Sequence, residues 1–296
     1  MFAGVRKKDE DAGILLSVST EAFRYDLRLG LAPKSADAFE LAPDVKEETI
    51  KLFHGGRKVP VLERKRSVVI ARDTEGKRIT FPSAVTPSES VLSELREPHR
   101  FPELSVVRQE LLGWRFYHRF RTDADSPLRR TQVGCRTPVL SHDGADLAAA
   151  LLTIRDIGDP AALWAAVERA FPGQELRIGG ARGQFWFEML TPPIPRPLAA
   201  AELSDGTLQF LCLLAALMSP RPPSLLVLNE PETSLHPDLT APLAGLIAAA
   251  AGRSQLWITT HSEPLAAEVA RLTGAAPIRL EKVNGETREC RSRLGE

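Results

Sequence analysis

The N-terminal part of the chain alternates apolar and polar positions with a period of two. Between residues 23 and 31, Phe, Tyr and Leu alternate with charged residues and glycine, which is the pattern of a strand with one buried face. Residues 14–19 form a suitable partner strand. Residues 67–81 predict a hairpin whose turn contains Gly76, a residue that tolerates positive φ. The pattern therefore predicts an antiparallel strand meander over residues 12–81.

After this region the pattern becomes helical. Residues 86–89, Thr-Pro-Ser-Glu, combine a capping threonine, a proline at the first helical position and a glutamate three residues on, which predicts a helix to about residue 97. Asp159-Pro160 predicts another helix, through Ala170, by the same logic. A strand is predicted over 184–190, after a glycine-rich turn.

The last hundred residues have a different pattern, in which short apolar runs enclose a helix. Residues 208–218 are almost continuously apolar, which predicts a helix buried on most sides. Short apolar runs at 224–228 and 255–260 flank an alanine- and leucine-rich segment at 237–251. A strand, a helix of roughly fifteen residues and a second strand are typical of the βαβ crossover of a parallel sheet.

Two further elements and a division of the chain complete this prediction. A helix is expected to begin at Ser262, and Asn284-Gly285 predicts a terminal hairpin. The chain is then expected to have three parts: an antiparallel β lobe over 1–85, a helical insertion over 86–173, and a C-terminal lobe over 174–296. The expected fold class is α/β.

Composition narrows the class of protein. The chain has 296 residues, 43% of them hydrophobic and 26% charged, with 38 basic and 38 acidic side chains, which excludes a disordered chain. No run of about eighteen apolar residues is present to span a membrane, and the charged segment 1–11 lacks the apolar core of a signal peptide. The cysteines at 135, 212 and 290 are far apart, which argues against a disulfide framework or a zinc site and for a cytoplasmic protein.

The stretch 100–136 is rich in arginine and aromatic residues. It holds eight arginines and four acidic residues, interleaved with Trp114, Phe116, Tyr117 and Phe120. Because arginine contacts phosphates and aromatic rings stack on bases, one interpretation is a DNA-binding face. The other, which we favour, is a solvated face whose aromatic rings turn into the core. With a net charge of zero, nucleic-acid binding would need such a local patch.

Polar side chains stand where the two predicted parallel strands end. Glu230 follows the first of these strands and His261 follows the second. Ligand sites in open α/β sheets form outside the carboxyl ends of parallel strands, so these two side chains are expected to lie side by side. Ser204 and Gly206 stand at the start of the buried helix, where free N–H groups and the helix dipole favour an anion.

Four motifs in this region resemble those of one family. Residues 203–209, LSDGTLQ, resemble the LSGGQ-type signature of ABC-type ATPases, and residues 225–230 resemble a Walker B strand with its catalytic glutamate. Residues 232–237, ETSLHP, resemble the D-loop of the RecF/SMC-like and OLD-like branch, and His261 matches the switch histidine. Because their order and spacing also agree, the chain resembles an OLD-related, RecF/SMC-like ABC-type AAA ATPase head.

The resemblance implies a fold and a site. The fold would be a P-loop NTPase head of ABC type, with an antiparallel β lobe, a helical insertion and a parallel-sheet lobe in that order. Glu230 would accept the proton of the attacking water, and His261 would bind the γ-phosphate. Ser204, Gly206 and Gln209 would contact a nucleotide held by the opposite subunit.

The resemblance also implies cofactors and partners. ATP and Mg²⁺ would bind between two copies of the chain, with Ser234 and His236 at the dimer seam. Hydrolysis would be coupled to work on DNA or on a partner effector protein, and DNA repair or defence against foreign DNA are contexts that the family suggests. No membrane partner is expected.

The chain departs from the family in two places. Asn229 occupies the Walker B position where the family has an aspartate that helps hold Mg²⁺, so a weaker metal site is expected there. The Walker A pattern G-x-x-x-x-G-K-[ST] does not occur in the sequence. The chain is therefore expected to be either a truncated or mis-started reading of a longer protein or a degenerate head that binds or regulates without hydrolysis, with weak or no ATP binding by itself.

Overall fold

The computed structural model describes residues 13–31, 43–82 and 85–290, and the chain forms two compact units, residues 1–112 and 113–296. The first unit contains one six-stranded sheet in which neighbours along the chain are also neighbours in space. All five strand pairs are antiparallel. The strands are β1 (Gly13–Ser19), β2 (Phe23–Leu31), β3 (Pro43–His54), β4 (Arg57–Lys65), β5 (Val68–Arg72) and β6 (Arg78–Pro82). The predicted meander is confirmed, although residues 12 and 32–42 of the predicted range lie outside the described residues.

Two helices follow the sheet, and the first differs from its prediction. They are α1 (Val91–Glu94) and α2 (Pro102–Gly113). The helix predicted over 86–97 is wrong at both ends. Ser90 caps α1 through an Oγ that accepts a hydrogen bond from Leu92 N at 3.0 Å, and the helix ends at Glu94. The carbonyl of Pro87 instead accepts a hydrogen bond from Val45 N at 2.8 Å, so residues 86–89 turn toward the sheet.

A buried ion pair joins the sheet of the first unit to this turn. Glu48 on β3 and Arg64 on β4 are 0% and 1% exposed, and their nearest charged atoms are 3.9 Å apart. The Glu48 carboxylate accepts hydrogen bonds from Tyr25 Oη at 3.0 Å, Ser90 Oγ at 2.7 Å and Val91 N at 2.8 Å. The Arg64 guanidinium donates to main-chain carbonyls, among them that of Thr86. Both charges are thus surrounded by hydrogen-bond partners, as buried charges must be.

The second unit mixes helices with short strands. Its strands are β7 (Arg115–Tyr117), β8 (Gln132–Val133), β9 (Glu175–Ala181), β10 (Gln184–Leu190), β11 (Leu198–Ala199), β12 (Leu225–Asn229), β13 (Gln255–Thr259), β14 (Leu280–Val283) and β15 (Glu286–Glu289). Its helices are α3 (Leu147–Ile157), α4 (Pro160–Ala170), α5 (Asp205–Leu217), α6 (Thr240–Ala251) and α7 (Glu263–Thr273). The helices predicted from Asp159 and Ser262 are confirmed, since both side chains cap their helices, and so is the terminal hairpin.

The parallel sheet of this unit has the order β13-β12-β7. The predicted strand–helix–strand crossover is confirmed, because β12 and β13 pair in parallel with α6 between them. The strand β7 was not predicted, and it lies within the range expected to be a helical insertion. The three-part division of the chain stays a prediction.

The core of the second unit forms around α5. Nine residues of this thirteen-residue helix are buried, which confirms the prediction from its apolar run. Tyr117 and Phe120 also lie in this core, as expected of rings turned inward. Phe116 instead lies beside Val227 and Trp257 on the opposite face of the parallel sheet, where it is 51% exposed.

Two further observations concern the thiol of Cys212 and the lengths of the helices. Cys212 is buried in α5, and burial raises the pKa of its thiol above the usual value. Within the part of the chain that the structure describes, no helix has both the length and the apolarity needed to cross a membrane.

Candidate functional site

The carboxyl ends of β12 and β13 lie side by side. Asn229 is in register with Thr259, and the Thr259 hydroxyl donates a 2.8 Å hydrogen bond to Asn229 Oδ1. One residue on, the backbone N–H of Glu230 donates to the carbonyl of Thr259 at 2.8 Å. The two strands therefore place the loops that follow them in contact at one edge of the sheet.

Glu230 and His261 meet at this edge. Glu230 Oε1 lies 3.3 Å from His261 Nε2, and the two side chains are 42% and 88% exposed. Glu230 adopts a φ of 45°, in the left-handed region that a residue with a Cβ seldom occupies. Such strain is concentrated at functional sites, because the surrounding structure has to hold it. The structure thus brings together the two side chains that the sequence placed at adjacent strand ends.

Glu232 joins the same two loops and was not among the predicted site residues. Its Oε1 atom accepts hydrogen bonds from Thr260 Oγ1 at 2.5 Å, His261 N at 3.0 Å and Ser262 N at 3.2 Å. A second glutamate two positions after Glu230 was the available sequence signal, but nothing in the local pattern indicated which donors it would meet.

The segment that resembles the signature motif is held at the start of α5. Ser204 caps this helix through an Oγ that accepts from Thr207 N at 3.1 Å. Arg129 donates to the carbonyl of Leu203 at 2.8 Å and to Asp205 Oδ1 at 2.5 Å. Its side chain is only 11% exposed. Sequence reasoning missed Arg129 as a support of this segment, because 76 residues separate it from Asp205.

Residues 203–209 (the signature segment) lie against residues 232–237 (the D-loop segment). A Cβ at Gly206 would stand 2.7 Å from the carbonyl oxygen of Ser234, and Ser234 itself has a φ of 67°. Gln209 is half-buried on α5. The Nδ1 atom of His236 accepts from Asp238 N at 3.4 Å, so this exposed side chain caps its own turn. Two clusters result, one of Asn229, Glu230 and His261 and one around Gly206 and Ser234.

Gly206→Ala is expected to destabilise the second unit by about 1–3 kcal/mol, because the added methyl group meets a main-chain oxygen and one of the two segments must move. Gly245→Ala is the matched control, since Gly245 is also helical and its added Cβ would have no neighbour nearer than 3.9 Å. The control is expected to stabilise by about 0.5–1 kcal/mol through helix propensity. Urea unfolding followed by tryptophan fluorescence measures both changes, and equal stabilisation by the two variants would show that Gly206 has room for a side chain.

The α/β fold and a family match together define the class of this protein, an ATPase head. Residues 82–268 match the model of a family described as "AAA domain, putative AbiEii toxin, Type IV TA system". The match covers more than half of the chain and every predicted site residue, and the chain belongs to this family. The expectation of an AAA-type ATPase head with an α/β fold is thereby confirmed.

Several solved structures are similar to this chain at low identity. The head of an Smc protein bound to the C-terminal winged-helix domain of ScpA is 12% identical, with 90% of this chain and 73% of that chain covered and a TM-score of 0.46. The SMC head domain from Thermotoga maritima is 14% identical, with 87% and 78% covered and a TM-score of 0.37. An Smc head with an extended coiled coil from Pyrococcus furiosus, bound to the C-terminal domain of ScpA, is 10% identical, with 90% and 76% covered and a TM-score of 0.39. A comparison with curated proteins gives no match.

Proposed function

We propose that this chain binds ATP at the carboxyl edge of its parallel sheet and hydrolyses it as one half of a nucleotide-gated dimer. The observation that carries the proposal is the pair of Glu230 and His261, whose side chains lie 3.3 Å apart at the ends of two parallel strands. Membership of the family supports ATPase activity. The pair of Glu230 and His261 supports an active site at this edge of the sheet.

The chemistry of the pair suits the hydrolysis of a phosphoanhydride. The Glu230 carboxylate is partly exposed, so a water molecule can reach it and lose a proton to it during attack on the γ-phosphorus. The bond from the γ-phosphorus to the bridging oxygen then breaks, and ADP leaves. His261 donates a hydrogen bond to a γ-phosphate oxygen, which stabilises charge as it develops. Positioning and electrostatics supply most of the rate enhancement in phosphoryl transfer.

Asn229 would help hold the Mg²⁺ of such a site. Asn229 Oδ1 accepts one hydrogen bond, from Thr259, and keeps a second lone pair for a cation. Among the described residues, no group of three or more His, Cys, Asp or Glu side chains is arranged so that it could hold a metal ion. This donor set fits Mg²⁺ because that ion takes one or two protein ligands and completes its shell with phosphate oxygens and water. The ion would neutralise charge on the phosphate oxygens.

A second copy of the chain would complete the site. Ser204 is exposed at the start of α5 and Gly206 lies beside it, where backbone N–H groups and the helix dipole favour a phosphate. Gln209 would complete this nucleotide-binding segment, while Ser234 and His236 would lie at the seam between the two copies. DNA or an effector protein would respond to the nucleotide state, in repair or in defence against foreign DNA.

A second candidate is a head that binds a partner or nucleotide without hydrolysing it. Two features of the sequence favour this candidate. The Walker A pattern that binds the phosphates in related ATPases does not occur in the sequence, and the amide of Asn229 attracts a divalent cation less strongly than a carboxylate does.

Phosphate release from Mg²⁺-ATP and sedimentation of the chain separate the two candidates. A hydrolytic dimer is expected to release phosphate and to sediment as a dimer in the presence of ATP. An ATP-dependent dimer that releases no phosphate would favour the second candidate, and the absence of both effects would contradict the proposed function.

A further inference from the structure

Glu232 is a half-buried link between the two loops of the site. One carboxylate oxygen, Oε1, accepts three hydrogen bonds from consecutive residues, namely Thr260, His261 and Ser262. The other oxygen, Oε2, is buried and has no hydrogen-bond partner. A carboxylate with one buried oxygen needs its donors, because it loses part of its hydration on folding. These three donors are therefore the interactions that keep Glu232 in place.

The position of this link matters because it lies between Glu230 and His261. Glu232 is two residues after Glu230 on the loop that follows β12. Among its donors is the backbone N–H of His261 itself, on the loop that follows β13. The N-terminus of α7 is capped separately, since Ser262 Oγ accepts from Leu265 N at 3.2 Å. Glu232 thus joins the loops rather than replacing the cap of the helix.

We propose that Glu232 is a positioning residue that holds His261 against Glu230. The strand pairing ends with the hydrogen bond from Glu230 N to Thr259 O, and beyond that point Glu232 joins the loop of Glu230 to the loop of His261. Its effect on hydrolysis rests on the proposed function, whereas its effect on the distance between the two side chains does not.

Two variants and one control test the positioning role. Glu232→Ala removes the acceptor, and Glu232→Gln keeps an oxygen that can accept hydrogen bonds from the same donors. Glu263→Ala is the control, because Glu263 is an exposed carboxylate at the first residue of α7 that pairs only at the surface, with Arg279.

Amide hydrogen exchange measures the hydrogen bonds to Glu232 without any substrate. Exchange at His261 N is expected to accelerate at least about tenfold in Glu232→Ala, since the lost hydrogen bond leaves this amide free to open. Ser262 N keeps the Thr260 hydroxyl as a second acceptor at 2.9 Å, so a smaller change is expected there. Glu232→Gln is expected to stay within about threefold of the wild-type rate, and so is Glu263→Ala. Unchanged exchange in Glu232→Ala would overturn the proposal.

The NMR resonance of His261 Nε2 reports on the contact between the His261 and Glu230 side chains. Glu230→Gln is expected to shift this resonance in the wild-type background and to leave it unmoved when Glu232 is alanine. An equal shift in both backgrounds would show that the two side chains meet without Glu232, which would overturn the proposal even if ATP were hydrolysed.

Kinetics connect the link to the reaction. Glu232→Ala is expected to lower kcat by about ten- to a hundredfold at nearly constant KM, because a displaced catalytic group loses much of its effect, and Glu232→Gln is expected to restore most of it. In a Glu230→Gln background, Glu232→Ala is expected to add no further loss, since coupled residues are not additive. Fully additive losses would overturn the positioning role.

If the chain hydrolyses no ATP while the exchange and resonance results hold, the proposed function fails and the positioning of His261 by Glu232 stands.

Discussion

Replacing Glu230 with glutamine is expected to lower ATP turnover by about 10²–10⁴-fold, the range in which a general base contributes to catalysis. Glutamine keeps the size of the side chain and a hydrogen-bonding oxygen, but it cannot take a proton from the attacking water. Since Glu230 is partly exposed and 3.3 Å from His261, the substitution should leave the fold intact. The measurement is phosphate release at saturating Mg²⁺-ATP, with the unfolding curve recorded alongside it.

Glu263→Gln is the matched control for this experiment. It makes the same chemical change at an exposed carboxylate at the start of α7, and its turnover is expected to stay within about twofold of wild type because surface ion pairs contribute little. Glu230→Gln is also expected to lengthen the life of the ATP-bound dimer, since the nucleotide remains uncleaved. Equal turnover in Glu230→Gln and wild type would show that Glu230 is not the general base.

The largest effect on stability is expected at Glu48. Glu48→Ala leaves the Arg64 guanidinium, which is 1% exposed, without its counter-charge inside the first unit. Removing one partner of a buried ion pair is expected to lower the free energy of unfolding of this unit by about 3–5 kcal/mol. The donors on Tyr25, Ser90 and Val91 also lose their acceptor, which acts in the same direction.

The probe for this prediction has to report on the first unit. All four tryptophans lie after residue 113, so fluorescence follows the second unit, and amide exchange along β3 and β4 is the suitable measurement. Glu63→Ala is the control, because the Glu63–Arg78 pair on the same sheet is exposed and its loss is expected to cost less than about 1 kcal/mol. Equal losses of unfolding free energy in Glu48→Ala and Glu63→Ala would show that the buried ion pair stabilises the first unit no more than the exposed pair does.

Local chemistry predicted the elements whose signals lie within a few residues. Asp159 caps α4 by accepting from Ala162 N at 2.9 Å, and the sequence indicated this from an aspartate followed by a proline. The run from 208 to 218 predicted a buried helix because apolar side chains all around a helix leave it no solvated face. The juxtaposition of Glu230 and His261 also followed from local patterns, since two adjacent parallel strands must end at the same edge.

Long-range partners decided the elements that the sequence misplaced or missed. Thr86 has the chemistry of a helix cap, yet the carbonyls of Thr86 and Pro87 accept hydrogen bonds from Arg64 and Val45, and Ser90 caps the helix instead. The three residues of β7 are too few to show a period, and they form a strand because β12 pairs with them.

The sequence by itself determined the class of this protein, an α/β ATPase head, because motif spacing and strand ends are properties of the chain read in order. The tertiary structure alone decided how the site is held. Arg129 supports the signature segment and Glu232 ties the loop of His261 to that of Glu230. These contacts join residues that are 74 and 29 positions apart, and no local propensity specifies a hydrogen bond over such a separation, because its partners meet only after the core has packed.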